Sequence, residues 1–238
     1  MVQPFLLPFY KFEPMVISIY MKLLLTSNGI SNDSIKKSFL NLVGKNPEDI
    51  CLAFIPTASN IEQGDKSWLI NDFINLKNLD LKSISIVDIS AIERNIWEPQ
   101  LKQADVLVFG GGDTFYLMEW VNKSGLIEIL PELLKTKVYV GISAGSMIPS
   151  SDLLLNITQD LYKEDLKRLE NMNGLNLVDF YLLPHFNKSS SSIRSKENVI
   201  KATKGIKSKI YALDDKSAIE INDGMVKIIT EGEFLEIN

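Results

Sequence analysis

From Met21 onward, short continuous apolar runs alternate with longer stretches whose apolar positions recur every three or four residues. The runs "KLLLTS", "ICLAFIPTAS", "SISIVDIS", "DVLVFGGG" and "VYVGIS" predict strands. Between them lie "SIKKSFLNLV", opening near Ser31 or Asn32, then "DKSWLINDFINLKNL", "AIERNIWEPQLKQA" and "DTFYLMEWVNKSGLIEILPELLKT". Those stretches carry helical spacing, and a further helix is expected directly after the fifth strand. The strand runs are apolar throughout, as parallel strands covered on both faces are, and do not alternate as half-solvated strands do. Strand and helix in strict alternation predict an α/β fold with a three-layer, doubly wound, mostly parallel sheet.

Near the end the pattern changes. "IYALDD", "SAIEIN" and "VKIIT" are short and closely spaced, and Asn222-Asp223-Gly224 is a hairpin signal. A small antiparallel addition at the sheet edge is expected there. The leading "MVQPFLLPFYKFEPMVISIY" is apolar, but three prolines, Lys11 and Glu13 interrupt it, and it lacks a basic start and a small-residue cleavage site. It is taken as an N-terminal arm, residues 1–20, of uncertain status, ahead of one domain spanning 21–238.

Composition narrows the function classes. A hydrophobic fraction of 45% and a charged fraction of 23% are ordinary for a globular chain. A net charge of −5, with Lys and Arg interspersed among acids, offers no basic face for nucleic acid. No uninterrupted span suits a membrane helix. A single cysteine, Cys51, excludes an intramolecular disulfide and points to a reducing, cytoplasmic setting. Cys51 opens "CLAFIP" and reads as a small buried hydrophobe. One His and one Cys are poor material for a zinc site, and no cofactor is implied.

The chemistry concentrates where strands end. Gly141-Ile142-Ser143-Ala144-Gly145 closes the fifth strand in a G-x-S-x-G pattern, in which a serine is held outward on a tight strand-to-helix turn. Taken alone, the pattern fits a structural turn equally well. The sole histidine, His185, ends the apolar run "YLLPHFN", where a further parallel strand would deliver it to the same edge. Imidazole is the usual base for a serine nucleophile. An orienting acid is then needed: Asp215, closing "KIYALDD", is the first choice and Asp214 the second, with Asp152 and Asp160 still open. The amide of Ala144, after the nucleophile, supplies one oxyanion donor, and the loop Gly110-Gly111-Gly112 offers another. Phe115 stands where a dinucleotide fingerprint needs its third glycine, and no Walker lysine is present, which disfavours nucleotide binding. The preferred acid follows the histidine, so the chain order differs from the Ser–acid–His order of α/β-hydrolases.

"FGGGDTFYL", "GISAGSM", "LLPHF" and "YALDDKSAI" together resemble the peptidase E family, α-aspartyl dipeptidases of serine type on a class I glutamine-amidotransferase-like fold. The resemblance runs from Met21 to about Gly232. It implies Ser143 as nucleophile, where amidotransferase relatives carry cysteine, and His185 as base. Gly112 and Ala144 would give the oxyanion amides. The acid falls either in "SSDLLLNITQD" or at Asp215, where relatives often carry Glu. Two departures stand out. Asp113 replaces the Asn usual after the triple glycine; a carboxylate there would attract a substrate amino group. The segment after the histidine is short, "NKSSSSIRSKEN", and Arg194 matches the family's partner for the substrate carboxylate.

The expectation is a serine-type peptidase cleaving dipeptides or short peptides with N-terminal Asp through an acyl-enzyme on Ser143. Its partner is a small peptide, and a homodimer is compatible with the sequence. Two rivals are carried alongside: cyanophycinase-like cleavage of β-linked Asp–Arg units, and a catalytically silent relative that binds a small molecule or a protein partner.

Overall fold

The structure, a computed structural model, describes residues 21–164, 173–188 and 192–238. The arm at 1–20 and all but the last residue of the serine run at Ser189–Ser192 lie outside the described residues.

The apolar runs become strands β1 (Lys22–Thr26), β2 (Cys51–Ile55), β3 (Ser83–Ile86), β4 (Val106–Phe109) and β5 (Val138–Ile142). They pair in parallel in the order β3-β2-β4-β5-β1. Every residue of β4 and β5 is buried, because successive side chains point to opposite faces and both faces are covered. Leu107 and Phe109 of β4 join one core with Tyr139 of β5, while Val106, Val108, Val138 and Val140 join the other.

Helices α1 (Asp33–Val43) and α2 (Ser67–Lys77) cover the second face through Ile35, Phe39, Leu42 and Leu76. The first face is covered by α3 (Arg94–Gln103), α4 (Thr114–Lys123) and α5 (Leu126–Leu133), through Trp97, Leu101, Leu117, Val121 and Leu130. Local signals set the ends of these helices. The Asn32 side chain accepts the Ile35 amide at 2.9 Å to cap α1, and Gly44, at φ 69°, terminates it. Gly125, at φ 78°, divides the long helical stretch into α4 and α5.

Beyond β5 the chain makes one turn of helix, α6 (Ala144–Met147), and later α7 (Leu155–Tyr162). Pro149 has no amide hydrogen with which to continue the helical ladder, and α6 ends ahead of it. Strand β6 (Phe180–Leu183) and helix α8 (Lys196–Ala202) follow, then β7 (Lys209–Leu213), β8 (Ser217–Asn222), β9 (Met225–Thr230) and β10 (Phe234–Ile237).

The expected antiparallel addition is the β8–β9 hairpin, which pairs onto β1 at the edge of the main sheet. Its turn residues Asp223 and Gly224 both have positive φ, at 50° and 78°, as a type I′ turn requires. Two runs go elsewhere. "YLLPHFN" does not extend the main sheet, and "IYALDD" is not part of the hairpin addition. β6 pairs in parallel with β7, and β7 antiparallel with β10, to form a separate three-stranded sheet. Tyr181, Leu183, Ile210 and Ala212 pack there against Ile157 and Leu161 of α7 and Val199 of α8. Phe180, Leu182, Tyr211 and Leu213 turn the other way, into the main core. This docking brings the carboxyl ends of β6 and β7 beside those of β1, β4 and β5.

Candidate active site

Ser143 follows β5 directly with φ 50° and ψ −109°, a backbone that a non-glycine residue adopts only where its surroundings enforce it. Here β1 enforces it. The Ser143 amide donates to the Thr26 carbonyl at 3.1 Å, and the Ser146 hydroxyl donates to the same oxygen at 2.7 Å. The flanking glycines are steric necessities. A Cβ on Gly141 would lie 2.5 Å from the Gly145 carbonyl oxygen, and one on Gly145 would lie 2.0 Å from that of Phe109. The buried Tyr139 hydroxyl locks this crossing by donating to the Gly145 carbonyl at 2.6 Å. Because α6 is a single turn, its macrodipole contributes little, and the local donor beside Ser143 is the Ala144 amide.

His185 sits two residues past β6, at φ 59°, with its amide donating to the Ser27 hydroxyl at 2.8 Å. Its Nε2 lies 3.0 Å from Ser143 Oγ, and its Nδ1 lies 2.5 Å from Asp215 Oδ1. Asp215 Oδ2 pairs with Lys188 Nζ at 2.9 Å. Burial alone would raise the Asp215 carboxyl, but hydrogen bonds and charge attraction from His185 and Lys188 outweigh it and hold the group well below the usual carboxylate range.

The other acids are occupied elsewhere. Asp214 fastens the turn before β8, accepting from the Ser217 hydroxyl at 2.5 Å and the Glu233 amide at 2.7 Å. Asp152 accepts from Tyr181 at 2.6 Å and from the Leu154 amide at 2.9 Å. Asp160 is exposed on α7.

Gly112 lines the cavity at φ 131°, and a Cβ there would meet the Ala58 carbonyl oxygen at 2.2 Å. Among the described residues, neither its amide nor that of Ala144 has a protein acceptor. Asp113 is placed differently from the sequence expectation. It is buried, caps α4 by accepting the Tyr116 amide at 2.7 Å, and is not among the residues lining the cavity. Arg194 does line it. Its guanidinium carbon lies 5.3 Å from the centre of the Tyr162 ring, its Nε is buried without a hydrogen-bond partner, and no carboxylate pairs with it among the described residues.

The cavity in front of Ser143 has a volume of about 350 Å³. Several of its residues escape the sequence reading: Ser27, Trp68, Asp72, Tyr162, Glu164 and Lys188. Glu164 accepts the amide and hydroxyl of Thr114 at 3.1 and 2.8 Å. Burial, reinforced by the neighbouring Asp113 carboxylate, raises Glu164 to about 8. Asp72 is raised to about 7 by burial. It alone left a trace in the sequence, since "WLINDFINL" places it on the buried stripe of α2 between Leu69 and Leu76. Cys51, read as buried, is half-exposed at the start of β2. Among the described residues no group of three or more His, Cys, Asp or Glu is arranged to hold a metal ion, and no helix is long and apolar enough to cross a membrane.

The arrangement supplies a strained serine, an imidazole on its hydroxyl, an ionised acid behind the imidazole, and free amides beside it. That combination suits acyl transfer, and comparison with known proteins leads the same way. An uncharacterized peptidase of Listeria monocytogenes is 31% identical over 188 residues, covering 76% of this chain and 84% of that protein. Peptidase E of Shewanella oneidensis is 33% identical over 135 residues, covering 56% of this chain and 52% of that protein. A crystal structure from Listeria monocytogenes, of a protein provisionally assigned to peptidase E, superposes with a TM-score of 0.73 at 28% identity, over 89% of this chain and 99% of that one. The sequence profile of peptidase family S51 matches residues 23–229, and the chain belongs to that family.

Proposed function

We propose that the protein is a serine peptidase that hydrolyses dipeptides or short peptides bearing N-terminal Asp. The observation that carries this reading is the continuous hydrogen-bonded chain from Ser143 through His185 to Asp215. His185 Nε2 takes the Ser143 proton as Oγ attacks the peptide carbonyl, while Asp215 holds the ring and stabilises the imidazolium. The amides of Gly112 and Ala144 receive the oxyanion. The tetrahedral intermediate collapses as the imidazolium gives its proton to the departing amine, which leaves an ester on Ser143. A water molecule, deprotonated by the same nitrogen, hydrolyses the ester.

Two features support a small acidic substrate. The cavity lies at the lower end of the ~300–1,000 Å³ range of small-ligand clefts, too small for a folded protein. Arg194 offers a guanidinium with no carboxylate partner among the described residues, suited to a bidentate contact with an aspartyl side chain.

The test is a hydrolysis panel of Asp-Leu, Asn-Leu, Glu-Leu, Leu-Leu and β-Asp-Arg, run beside Ser143→Ala. Serine-dependent cleavage of Asp-Leu in preference to the rest is the expected result. Cleavage of β-Asp-Arg alone would transfer the same machinery to the cyanophycinase-like substrate, and no serine-dependent cleavage would sink the reading.

A further inference from the structure

Asp72 is only 5% exposed, yet its carboxylate meets no donor and no cation among the described residues. Buried carboxylates are ordinarily hydrogen-bonded, because burying one without compensation is costly. Three positions show that this one faces the reacting cavity. Asp72 lines it together with Trp68, one turn earlier on α2. Trp68 in turn borders Ser143: a Cβ on Gly111 would lie 3.4 Å from Ser143 Cβ and 3.6 Å from the Trp68 ring. Finally, Asp72 Oδ1 stands over Gly29, where a Cβ would lie 3.0 Å away, and Gly29 has φ +70°. Gly29 belongs to the loop after β1, the loop whose Ser27 hydroxyl receives the His185 amide. A glycine that admits the carboxylate and a helix that carries it inward leave it at the edge of the cavity with no partner among the described residues.

The other carboxylates of the cavity differ. Glu164 is engaged by Thr114, and Glu62 is exposed to solvent. Arg194 is the counterpart of Asp72: a cation in the same cavity with no carboxylate partner among the described residues. One cavity holding an unsatisfied anion and an unsatisfied cation is matched to a ligand that carries both signs. We propose that Asp72 is the cation subsite of this cavity, receiving an ammonium or guanidinium group of the peptide substrate. The identity of the ligand as a peptide rests on the function proposed above. Two parts of a short peptide carry such a group: the α-ammonium, and a Lys or Arg side chain in the leaving residue. Both donate charged hydrogen bonds to a carboxylate in the same way.

The experiment measures binding without turnover. Asp-Leu, N-acetyl-Asp-Leu and Asp-Lys are titrated by calorimetry into Ser143→Ala and into Ser143→Ala/Asp72→Asn. Loss of a charged hydrogen bond weakens binding by about 10–100-fold. A fall of that size for Asp-Leu, absent for N-acetyl-Asp-Leu, assigns the subsite to the α-ammonium. A fall confined to Asp-Lys assigns it to the leaving residue. Peptides bound equally by both proteins overturn the Asp72 proposal and leave the peptidase reading intact, whereas binding of no peptide overturns both. A second measurement does not depend on ligand. At pH 8 Asp72→Asn, in the otherwise wild-type chain, raises Tm by at least about 2 °C, because an uncompensated charge has been removed. A lowered Tm would mean that Asp72 already has a structural partner, and would overturn the proposal.

Discussion

His185 Nδ1 lies 2.5 Å from Asp215 Oδ1, and that contact separates two adjacent aspartates into different roles. In the proposed mechanism Asp215 orients the imidazole, whereas Asp214, one residue earlier, ties the turn to Ser217 and Glu233. Asp215→Asn is therefore expected to lower kcat by about 10³–10⁴-fold. Asp214→Asn is expected to cost about 1–3 kcal/mol of stability while kcat holds. Steady-state kinetics and urea unfolding on the two variants check the division.

The same contact fixes an acid limit. The folded-state pKa of Asp215 is depressed, so the stability it contributes is fully present above its unfolded value near 3.9 and is lost as pH falls below that value. Relative to Asp215→Asn, the wild-type chain loses stability progressively below about pH 4. Denaturant midpoints between pH 2 and 6 measure this. A flat difference across that range would show that the carboxylate gains nothing from His185 and Lys188.

Glu164 acts with the opposite sign. Its pKa is raised to about 8, so the folded chain keeps a proton that the unfolded chain has already released. Stability consequently falls as pH rises from about 4.5 to 8, and Glu164→Gln removes that fall. Gln keeps an oxygen for the Thr114 donors, so the variant is expected to match wild type near pH 4.5 and to exceed it by about 1–3 kcal/mol at pH 9. Thermal unfolding of both proteins across that range is the check.

How much of this was open to reading from the sequence depends on range. The parallel strands were readable because burial on both faces writes an uninterrupted apolar run, as in β4 and β5. The partner of a strand is not written locally. β6 is as apolar as β4, so nothing in "YLLPHF" says that it pairs with β7 in a second sheet. Ser143, His185 and Asp215 stood out because each interrupts the chain at a strand's end. Ser27 and Lys188 touch the same group from ordinary loop positions, where a serine or a lysine carries no periodic signal. Asp113 misled because a residue beside a glycine loop is equally placed to cap the helix that follows, and the cap is what the structure holds. Asp72 was detectable in principle, as the one acidic position on the buried stripe of α2.

The glycines around Ser143 carry a prediction about folding. Gly145→Ala puts a methyl group 2.0 Å from the Phe109 carbonyl oxygen, which is strand backbone and cannot yield without moving β4. Overpacking of a buried crossing costs about 1–3 kcal/mol or more. The expected result is a large drop in Tm, with loss of activity following from displacement of the elbow. Gly44→Ala is the control: nothing lies within 4 Å of a Cβ there, although φ is 69°. It is expected to cost about 1–2 kcal/mol from backbone strain alone and to leave kcat unchanged.

In the proposed function, Arg194 decides whether the cavity selects aspartyl substrates. Its guanidinium stacks on Tyr162 and lacks a carboxylate partner among the described residues, so a substrate carboxylate has no competitor to displace among them. Arg194→Lys retains the charge but loses the planar fork and the ring stacking. It is expected to raise KM for Asp-Leu about tenfold, and Arg194→Ala to raise it about 100-fold, with kcat changing less. For Leu-Leu, which has no side-chain carboxylate, kcat/KM is expected to be unchanged by either substitution. Equal losses on both substrates would make Arg194 a packing residue for Tyr162 and move the specificity determinant elsewhere in the cavity.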